Sequence, residues 1–275
     1  YTTSLRFSNK QEENLKLLVS TKELNTFLLK GGYLMIGAII GDVVGSRFEF
    51  SNKKSKEFNL VNDWSRFTDD SVMTFAVLDW CLHAEKTSID EAAKYLQKWG
   101  RKYPYAGYGG IFRNYLNKDN PTPYGSYGNG SAMRCSAIGW FADSIETIKE
   151  WNEIITGCTH NHPEGMKGAE VVATMIFKAR HGASKEELKE YAYEMYPSIK
   201  ELNYEDLVDT YTFNATCQGS IPQALYCFLI SNDFIDCLRT SISIGGDSDT
   251  IAAIACSIAE VFYREIPAEL IDNVK

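Results

Sequence analysis

Residues 244–253, Ile-Gly-Gly-Asp-Ser-Asp-Thr-Ile-Ala-Ala, place two carboxylates and a hydroxyl directly before an apolar stretch. Residues 67–73, Phe-Thr-Asp-Asp-Ser-Val-Met, repeat this arrangement earlier in the chain. Apolar residues at helical spacing follow both segments, so each predicts the start of a helix. One carboxylate is enough to cap a helix and complement its dipole. Two carboxylates beside a helix that must be buried are costly to desolvate unless a cation compensates their charge.

The occurrence of two such segments favours a shared cation site, with ordinary helix capping as the alternative. Carboxylate and hydroxyl oxygens are ligands that suit Mg²⁺ or Mn²⁺ better than Zn²⁺. Two clusters of this kind suit a two-metal site, in which the ions lie roughly 3.5–4 Å apart.

Helical spacing of apolar residues continues through most of the chain after Gly32. Ser88 with Glu91, and Ser184 with Glu187, have the spacing of a capping box and mark two helix starts. Segments 103–110 and 120–130, where Pro, Gly, Tyr, Ser and Asn are frequent, are predicted loops. The pattern therefore predicts a mostly α-helical domain. Further helices are predicted at 71–85, 144–156, 165–181, 221–231, 233–242 and 250–263.

A third segment, residues 125–134, is rich in glycine and ends on Arg134. Backbone N–H groups of such a segment can cradle phosphate oxygens, although surface turns use the same residues. The segment matches neither a P-loop nor the GxGxxG pattern after a strand. His160 and His162, with no third soft ligand nearby, favour hydrogen bonding to a substrate over a zinc site. The chain has no GxSxG elbow and no cysteine-nucleophile pattern.

Composition narrows the class of protein further. The chain has 275 residues, 44% of them hydrophobic, and a net charge of −8, which is typical of a globular protein of one or at most two domains. The acidic balance argues against nucleic acid as a partner. Seven scattered cysteines without a CxxC pair indicate reduced, buried thiols in a cytoplasmic protein. The longest uncharged run, residues 210–232, is too polar to span a membrane.

Residues 1–34 are predicted to form an arm appended to a domain of residues 35–275. Between Gln11 and Lys30, apolar residues recur every three or four positions among charges, as in an amphipathic helix. The pair Gly31-Gly32 then ends the pattern. The alternative is a helix that packs on its own domain.

Five segments, in this order and spacing, resemble the ADP-ribosylglycohydrolase family. They are residues 37–49 (Gly-Ala-Ile-Ile-Gly-Asp-Val-Val-Gly-Ser-Arg-Phe-Glu), 67–73, 124–134, 159–165 and 244–253. The resemblance covers the chain from about Met35 to the C-terminus. It implies an all-α, orthogonally packed multi-helix domain with two Mg²⁺ or Mn²⁺ ions. The implied activity is hydrolysis of the glycosidic bond between ADP-ribose and an acceptor such as an arginine or serine side chain, with protein arginine as the favoured acceptor.

The resemblance also implies roles for individual residues. Glu49 matches a carboxylate with an acid/base role, and a metal-site aspartate, Asp70 or Asp249, is the alternative base. Tyr127 is the implied stacking partner of adenine. The implied metal ligands are Thr68, Asp69, Asp70, Asp247, Asp249 and Thr250. The implied contacts to the diphosphate and distal ribose come from Tyr127, Gly128, Asn129, Gly130, Ser131, Met133, Arg134 and His160.

This interpretation has a simple chemical basis. A metal pair can chelate the 2′ and 3′ hydroxyls of the ribose next to the acceptor, while carboxylates stabilise an oxocarbenium-like transition state. Loops 50–66 and 101–124 are expected to shape the rim that selects the acceptor. The expected partner is an ADP-ribosylated protein, and no membrane partner is expected.

Two alternative hypotheses come from known relatives. Because some relatives are immunity proteins, the arm of residues 1–34 is a candidate for binding an ADP-ribosylating toxin, with hydrolysis as a second means of neutralisation. The other alternative is a non-catalytic ADP-ribose-binding relative. Such a protein should have lost metal ligands, whereas this sequence retains all six ligand types.

Overall fold

The computed structural model describes residues 35–274, with side chains as far as Ile271. The predicted arm, residues 1–34, lies outside these residues. Within them the chain forms thirteen α-helices and two short 3-10 segments, and its only β pairing is a single bridge between Gly128 and Thr216. The prediction of an all-α domain is confirmed.

The helices follow one another with short connections, apart from the longer segments before α2 and α5. They are α1 (Ile36–Gly45), α2 (Asp69–His83), α3 (Ile89–Lys102), α4 (Gly110–Asn117), α5 (Ser136–Phe141), α6 (Ile145–Ile155), α7 (Pro163–Arg180), α8 (Lys185–Met195), α9 (Tyr204–Thr210), α10 (Cys217–Ile230), α11 (Phe234–Ser243), α12 (Ser248–Tyr263) and α13 (Ala268–Val274). The 3-10 segments are Asn129–Ser131 and Pro197–Glu201.

Helices α1 and α12 form the centre of the domain. All ten residues of α1 are buried, as is every residue of α12 from Ser248 to Val261. A helix buried on every side belongs inside a domain, and α7, α10 and α11 pack around α12. The two central backbones nearly touch, because a Cβ atom on Gly41 would lie only 2.4 Å from the backbone of Ala252.

Helix α1 receives its N-terminal cap from α12. Met35 precedes α1 in the left-handed region, with φ 63°, and no side chain caps the helix from that position. Instead the Glu260 carboxylate accepts hydrogen bonds from the N–H groups of Ile36 (3.2 Å) and Gly37 (2.9 Å). Burial raises the pKa of Glu260 to about 8. Hydrogen bonds as well as close packing therefore join the central pair.

The two predicted capping boxes differ in the structure. Ser184 and Glu187 form the complete reciprocal arrangement. Ser88 accepts a hydrogen bond from the Glu91 N–H (3.1 Å), but the Glu91 carboxylate accepts from the N–H groups of Glu85 (2.9 Å) and Lys86 (3.0 Å) instead. The helix start at Ser88 is confirmed, and the Glu91 side chain orders the turn before it.

Two predictions from composition can be compared with the described residues. All seven cysteines are buried, free thiols, as predicted. The run of residues 210–232 contains α10 rather than a membrane span, and none of the helices between residues 35 and 274 is both long and apolar enough to cross a membrane.

Candidate metal and substrate site

The starts of α2 and α12 and the turn after α1 bring acidic side chains together, and these side chains form one wall of the candidate site. Thr68 caps α2, since its Oγ1 accepts a hydrogen bond from the Asp70 N–H (3.3 Å). Helix α12 follows Gly245 and Gly246, which have φ 73° and 72° and so occupy the left-handed region that favours glycine. The turn after α1 carries Glu49.

The carboxylates form two overlapping triads. The first triad is Asp42, Asp70 and Asp249, whose carboxylates each have one oxygen within 4.8 Å of the other two. The second triad is Glu49, Asp247 and Asp249, which meet the same distance limit. Burial, and then the charges of neighbouring carboxylates, raise the pKa of Asp70 and of Asp249 well above the usual value. The buried Oδ1 of Asp70 has no hydrogen-bond partner. An all-oxygen cluster with an unpartnered buried carboxylate oxygen fits divalent cations such as Mg²⁺ or Mn²⁺.

Two further acidic groups on this wall have raised pKa values. Burial and the charges of Asp247 and Asp42 raise the pKa of Glu49 to about 7. Burial and the charge of Asp42 raise the pKa of Asp69 to about 7. Asp69 lies outside both triads, although it borders the same cavity.

The two threonine hydroxyls of the predicted metal set are both directed to carboxylates. Thr68 Oγ1 donates to Asp42 Oδ1 (2.7 Å), and Thr250 Oγ1 donates to Asp70 Oδ2 (3.3 Å). Because a hydroxyl has one proton and two lone pairs, each oxygen keeps acceptor capacity while its proton is engaged.

Asp42 was missed in the sequence reasoning. It is completely buried on α1 and accepts hydrogen bonds from Thr68 N (2.8 Å), Thr68 Oγ1 (2.7 Å), Ser71 N (3.0 Å) and Ser71 Oγ. It thereby fixes the start of α2 against α1. The signal in the sequence was a single charge inside the otherwise uncharged run of residues 35–46, which is uncommon in a buried helix.

A cavity of about 360 Å³ opens in front of these carboxylates. Of the predicted site residues, those that line it are Glu49, Asp69, Asp70, Gly128, Asn129, Gly130, Met133, Arg134, His160, Asp247, Asp249 and Thr250. Three predicted residues do not line it. Thr68 is buried with its hydroxyl donating to Asp42, and Ser131 is fully buried with its hydroxyl donating to Gly128 O (3.2 Å). Tyr127 is half-exposed, with its ring centroid 5.2 Å from that of His162.

The cavity also has lining residues that the sequence reasoning did not single out. Aromatic rings come from Phe112, Tyr124 and Phe213, and Gly107 contributes backbone close to Asp69. Residues of the predicted rim loop 101–124 therefore do border the cavity, whereas those of loop 50–66 do not line it. Phe213 lies in neither loop.

The glycine-rich segment is tied into the protein by its own N–H groups. Gly128 N donates to Ser126 Oγ (3.2 Å), and Asn129 N donates to Ala215 O (2.8 Å). The Asn129 side chain donates to Asp247 Oδ2 (2.7 Å). Asn129 thus orients a carboxylate of the second triad, and two of the N–H groups expected to cradle phosphate already have partners.

A buried polar chain also borders the cavity. Arg134 Nη2 donates to Thr159 Oγ1 (2.7 Å), which lies 2.7 Å from His160 Nδ1. Burial, with the charge of Arg134, lowers the pKa of His160 well below its usual value, which favours the neutral imidazole. If the Thr159 hydroxyl donates to Nδ1, the ring proton is assigned to Nε2, close to Gly130.

Comparisons with known proteins agree on one family. A family model described as ADP-ribosylglycohydrolase matches residues 32–275. The mouse ADP-ribosylhydrolase ARH3 is 28% identical, over 83% of this chain and 82% of its own length. The ADP-ribosylarginine hydrolase Tri1 of Pseudomonas putida is 23% identical, over 87% of this chain and 72% of its own. The ADP-ribosyl-[dinitrogen reductase] glycohydrolase of Rhodospirillum rubrum is 24% identical over 83% of each chain.

A solved structure has the same fold. It is described as an ADP-ribosylglycohydrolase-related protein complex and matches with a TM-score of 0.63 at 19% identity. The match covers 87% of this chain and 89% of that one.

Proposed function

The chain belongs to the ADP-ribosylglycohydrolase family, and from this membership we propose that it hydrolyses the glycosidic bond between ADP-ribose and an arginine side chain of a modified protein. Hydrolysis of an ADP-ribose linkage is the activity of the family. Arginine is the acceptor favoured here because a relative that aligns over most of this chain is named an ADP-ribosylarginine hydrolase. The observation that carries the proposal is the pair of carboxylate triads sharing Asp249 at the wall of the cavity.

The proposed cofactor is a pair of Mg²⁺ or Mn²⁺ ions. Each triad offers three carboxylate oxygens, and the buried Asp70 Oδ1 has no other partner. The proposed ligands are those of the sequence-derived set, Thr68, Asp69, Asp70, Asp247, Asp249 and Thr250, of which Asp70, Asp247 and Asp249 belong to the triads. When bound, the ions would offset the carboxylate charge and hold the ribose hydroxyls in place.

Glu49 is the proposed acid/base residue. It is half-buried, borders the cavity and lies beside Asp247 and Asp249. A carboxyl group at the border of the cavity can give or take a proton at the reacting bond, which is the property needed of a general acid or base. Asp70 and Asp249 remain the alternatives, but both are buried, whereas Glu49 is half-buried at the border of the cavity.

The part of the cavity lined by Arg134 and His160 is the proposed place of the diphosphate and ribose. A neutral His160 with its proton on Nε2 can donate to a phosphate oxygen without the cost of burying a second cation beside Arg134. Gly128, Gly130 and Met133 would contact the same part of the ligand. Tyr127 is proposed to stack on adenine outside the cavity. Ser131 is proposed to hold Gly128 in place through its hydrogen bond to Gly128 O.

The proposal is tested by release of free ADP-ribose from arginine-ADP-ribosylated protein. Release is expected with Mg²⁺ or Mn²⁺, and it should stop in EDTA and return when the metal is restored. Asp69→Ala and Asp249→Ala should abolish release. Glu49→Gln should lower kcat by about 10²–10⁴-fold with a smaller change in KM. Glu190→Ala, which removes an exposed carboxylate of α8, is the matched control and should be fully active.

Two results would contradict specific parts of the proposal. Release that survives both EDTA and Asp249→Ala would rule out the metal site. If calorimetry detected ADP-ribose binding but no arginine, serine or nucleic-acid linkage were cleaved, the chain would be a non-catalytic binding protein instead.

A further inference from the structure

The segment that carries Glu49 is fastened to the turn that carries Asp247. No regular helix or strand forms between Ser46 and Thr68, so Glu49 depends on side-chain contacts for its position. Asn52 Oδ1 accepts from Gly246 N (2.9 Å), and Asn52 Nδ2 donates to Gly246 O (3.0 Å). One amide therefore forms a reciprocal pair with the residue immediately before Asp247.

The same amide also holds its own segment. Asn52 Nδ2 donates to Phe48 O (2.7 Å) and Glu49 O (3.1 Å) as well as to Gly246 O. Three carbonyls face the amide nitrogen and one N–H faces the amide oxygen, so the orientation of the group is fixed by its partners. An aspartate here would place an oxygen against three carbonyl oxygens.

Lys54 makes a second attachment two residues later. Its ammonium group donates to Ile244 O (2.6 Å), Tyr211 O (2.6 Å) and Leu207 O (3.5 Å). These carbonyls lie at the C-terminal ends of α9 and α11, where a positive charge complements the helix dipole. Three carbonyls use all three protons of the ammonium group.

The Gly245-Gly246 turn has the shape that these two side chains require. A Cβ on Gly245 would lie 2.8 Å from Lys54 Cε and 2.9 Å from both Asn52 Oδ1 and Lys54 Nζ. A Cβ on Gly246 would lie 2.3 Å from the Tyr211 ring. Both glycines also have positive φ. A side chain at position 245 would therefore displace Asn52 and Lys54, so the turn makes these contacts because glycine is present there.

We propose that Asn52 and Lys54 are positioning residues, which hold the Glu49 carboxylate in register with Asp247 and Asp249. This inference rests on the proposed function, in which Glu49 acts beside the second triad. Without Asn52 and Lys54, the Glu49 segment would lose the hydrogen bonds that these side chains make to Gly246 and Ile244 beside Asp247. A displacement of about 1 Å in such a group can reduce a rate on the order of 10²-fold.

The test uses Asn52→Asp and Lys54→Met in the full chain. Lys53→Met is the matched control, because Lys53 makes none of these contacts. We expect kcat for ADP-ribose release to fall between about tenfold and 10²-fold in both variants, with KM changed by less than about threefold. Titration with Mn²⁺ alone should give weaker binding in both variants than in Lys53→Met, since Asp247 and Glu49 belong to one triad. Far-UV circular dichroism should be the same for all the proteins.

The outcomes separate this inference from the proposed function. If the unmodified protein releases no ADP-ribose from any acceptor, the proposed function fails, and the Mn²⁺ titration alone decides on positioning. If kcat and Mn²⁺ affinity of both variants equal those of Lys53→Met, the positioning role is overturned. A fall in kcat that comes with a fall in Tm, while Mn²⁺ affinity is unchanged, would also overturn the positioning role, because that result indicates a merely structural role.

Discussion

Replacing Gly41 with alanine should separate the two central helices. A Cβ at this position would lie 2.4 Å from both C and O of Ala252 and 2.5 Å from Ala253 N. All three atoms are backbone atoms of α12, so no side-chain rotation can relieve the contact. Ordinary contacts of a Cβ lie at 3.4–4 Å, and the deficit of about 1 Å must be met by moving α1 away from α12.

The size of the effect follows from two opposing terms. Overpacking a well-packed core costs about 1–3 kcal/mol, and contact with backbone puts Gly41→Ala at the upper end of that range. Alanine gains about 1 kcal/mol over glycine inside a helix. The net loss is about 2 kcal/mol, which for a domain of this size lowers Tm by about 4–8 °C. Because α1 carries Asp42 and α12 carries Asp249, Mn²⁺ binding should weaken as well.

Gly100→Ala is the control for this prediction. Its Cβ would meet the Leu116 side chain, at 2.5 and 2.6 Å from the two Cδ atoms and 3.1 Å from Cγ, and a side chain can move by rotation. Scanning calorimetry and Mn²⁺ titration of the two variants give the comparison. The reasoning is refuted if Gly41→Ala melts no lower than Gly100→Ala, or if it melts lower yet binds Mn²⁺ as tightly.

Three further outcomes are expected. In EDTA, the free energy of unfolding should fall as pH rises from about 5 to 8. The pKa values of Asp69 (about 7) and Glu260 (about 8) are raised in the folded protein, so the stability they give is present below their pKa values in the unfolded chain and is lost as pH rises through their pKa values in the folded protein. Mg²⁺ should therefore raise Tm more at pH 8, and a Tm in EDTA that increases over this range would contradict the assignment. Asp42→Asn should destabilise the Mg²⁺-loaded protein by about 2–3 kcal/mol, since an amide nitrogen would face the Thr68 or Ser71 donors; urea unfolding in Mg²⁺ measures this. Ser184→Ala should cost about 1 kcal/mol through loss of the capping box, with ADP-ribose release unchanged.

Sequence reasoning located the helices whose starts carry a local chemical signal. The pairs of carboxylates before α2 and α12, and the cap at Ser184, are read from neighbouring residues, and those helices begin within two residues of the expected positions. Helix α1 has no such signal, because its cap is Glu260, more than 220 residues away. A contact of that separation cannot be read from local spacing.

The same distinction applies to the candidate site. Acidic and glycine-rich motifs are visible in the chain, and most of their residues line one cavity. Asp42 and the attachments made by Asn52 and Lys54 were not foreseen, because their function depends on partners brought close by folding. The positions of Ser131 and Tyr127 outside the cavity lining also depend on how a short segment turns. Their neighbours Gly128 and Gly130 line the cavity.

The cap of α1 by Glu260 has a consequence for the synthesis of the protein on the ribosome. Helix α1 is the first described helix to be translated, and it supplies Asp42 and leads into Glu49. Its N–H groups obtain their partner only after residue 260 has been made, and its close-packed neighbour α12 is made at the same late stage. Long-range contacts of this kind slow folding. A nascent chain interrupted before residue 248 therefore lacks Asp249, the residue that the two carboxylate triads share, and the candidate site is complete only when α12 has packed against α1.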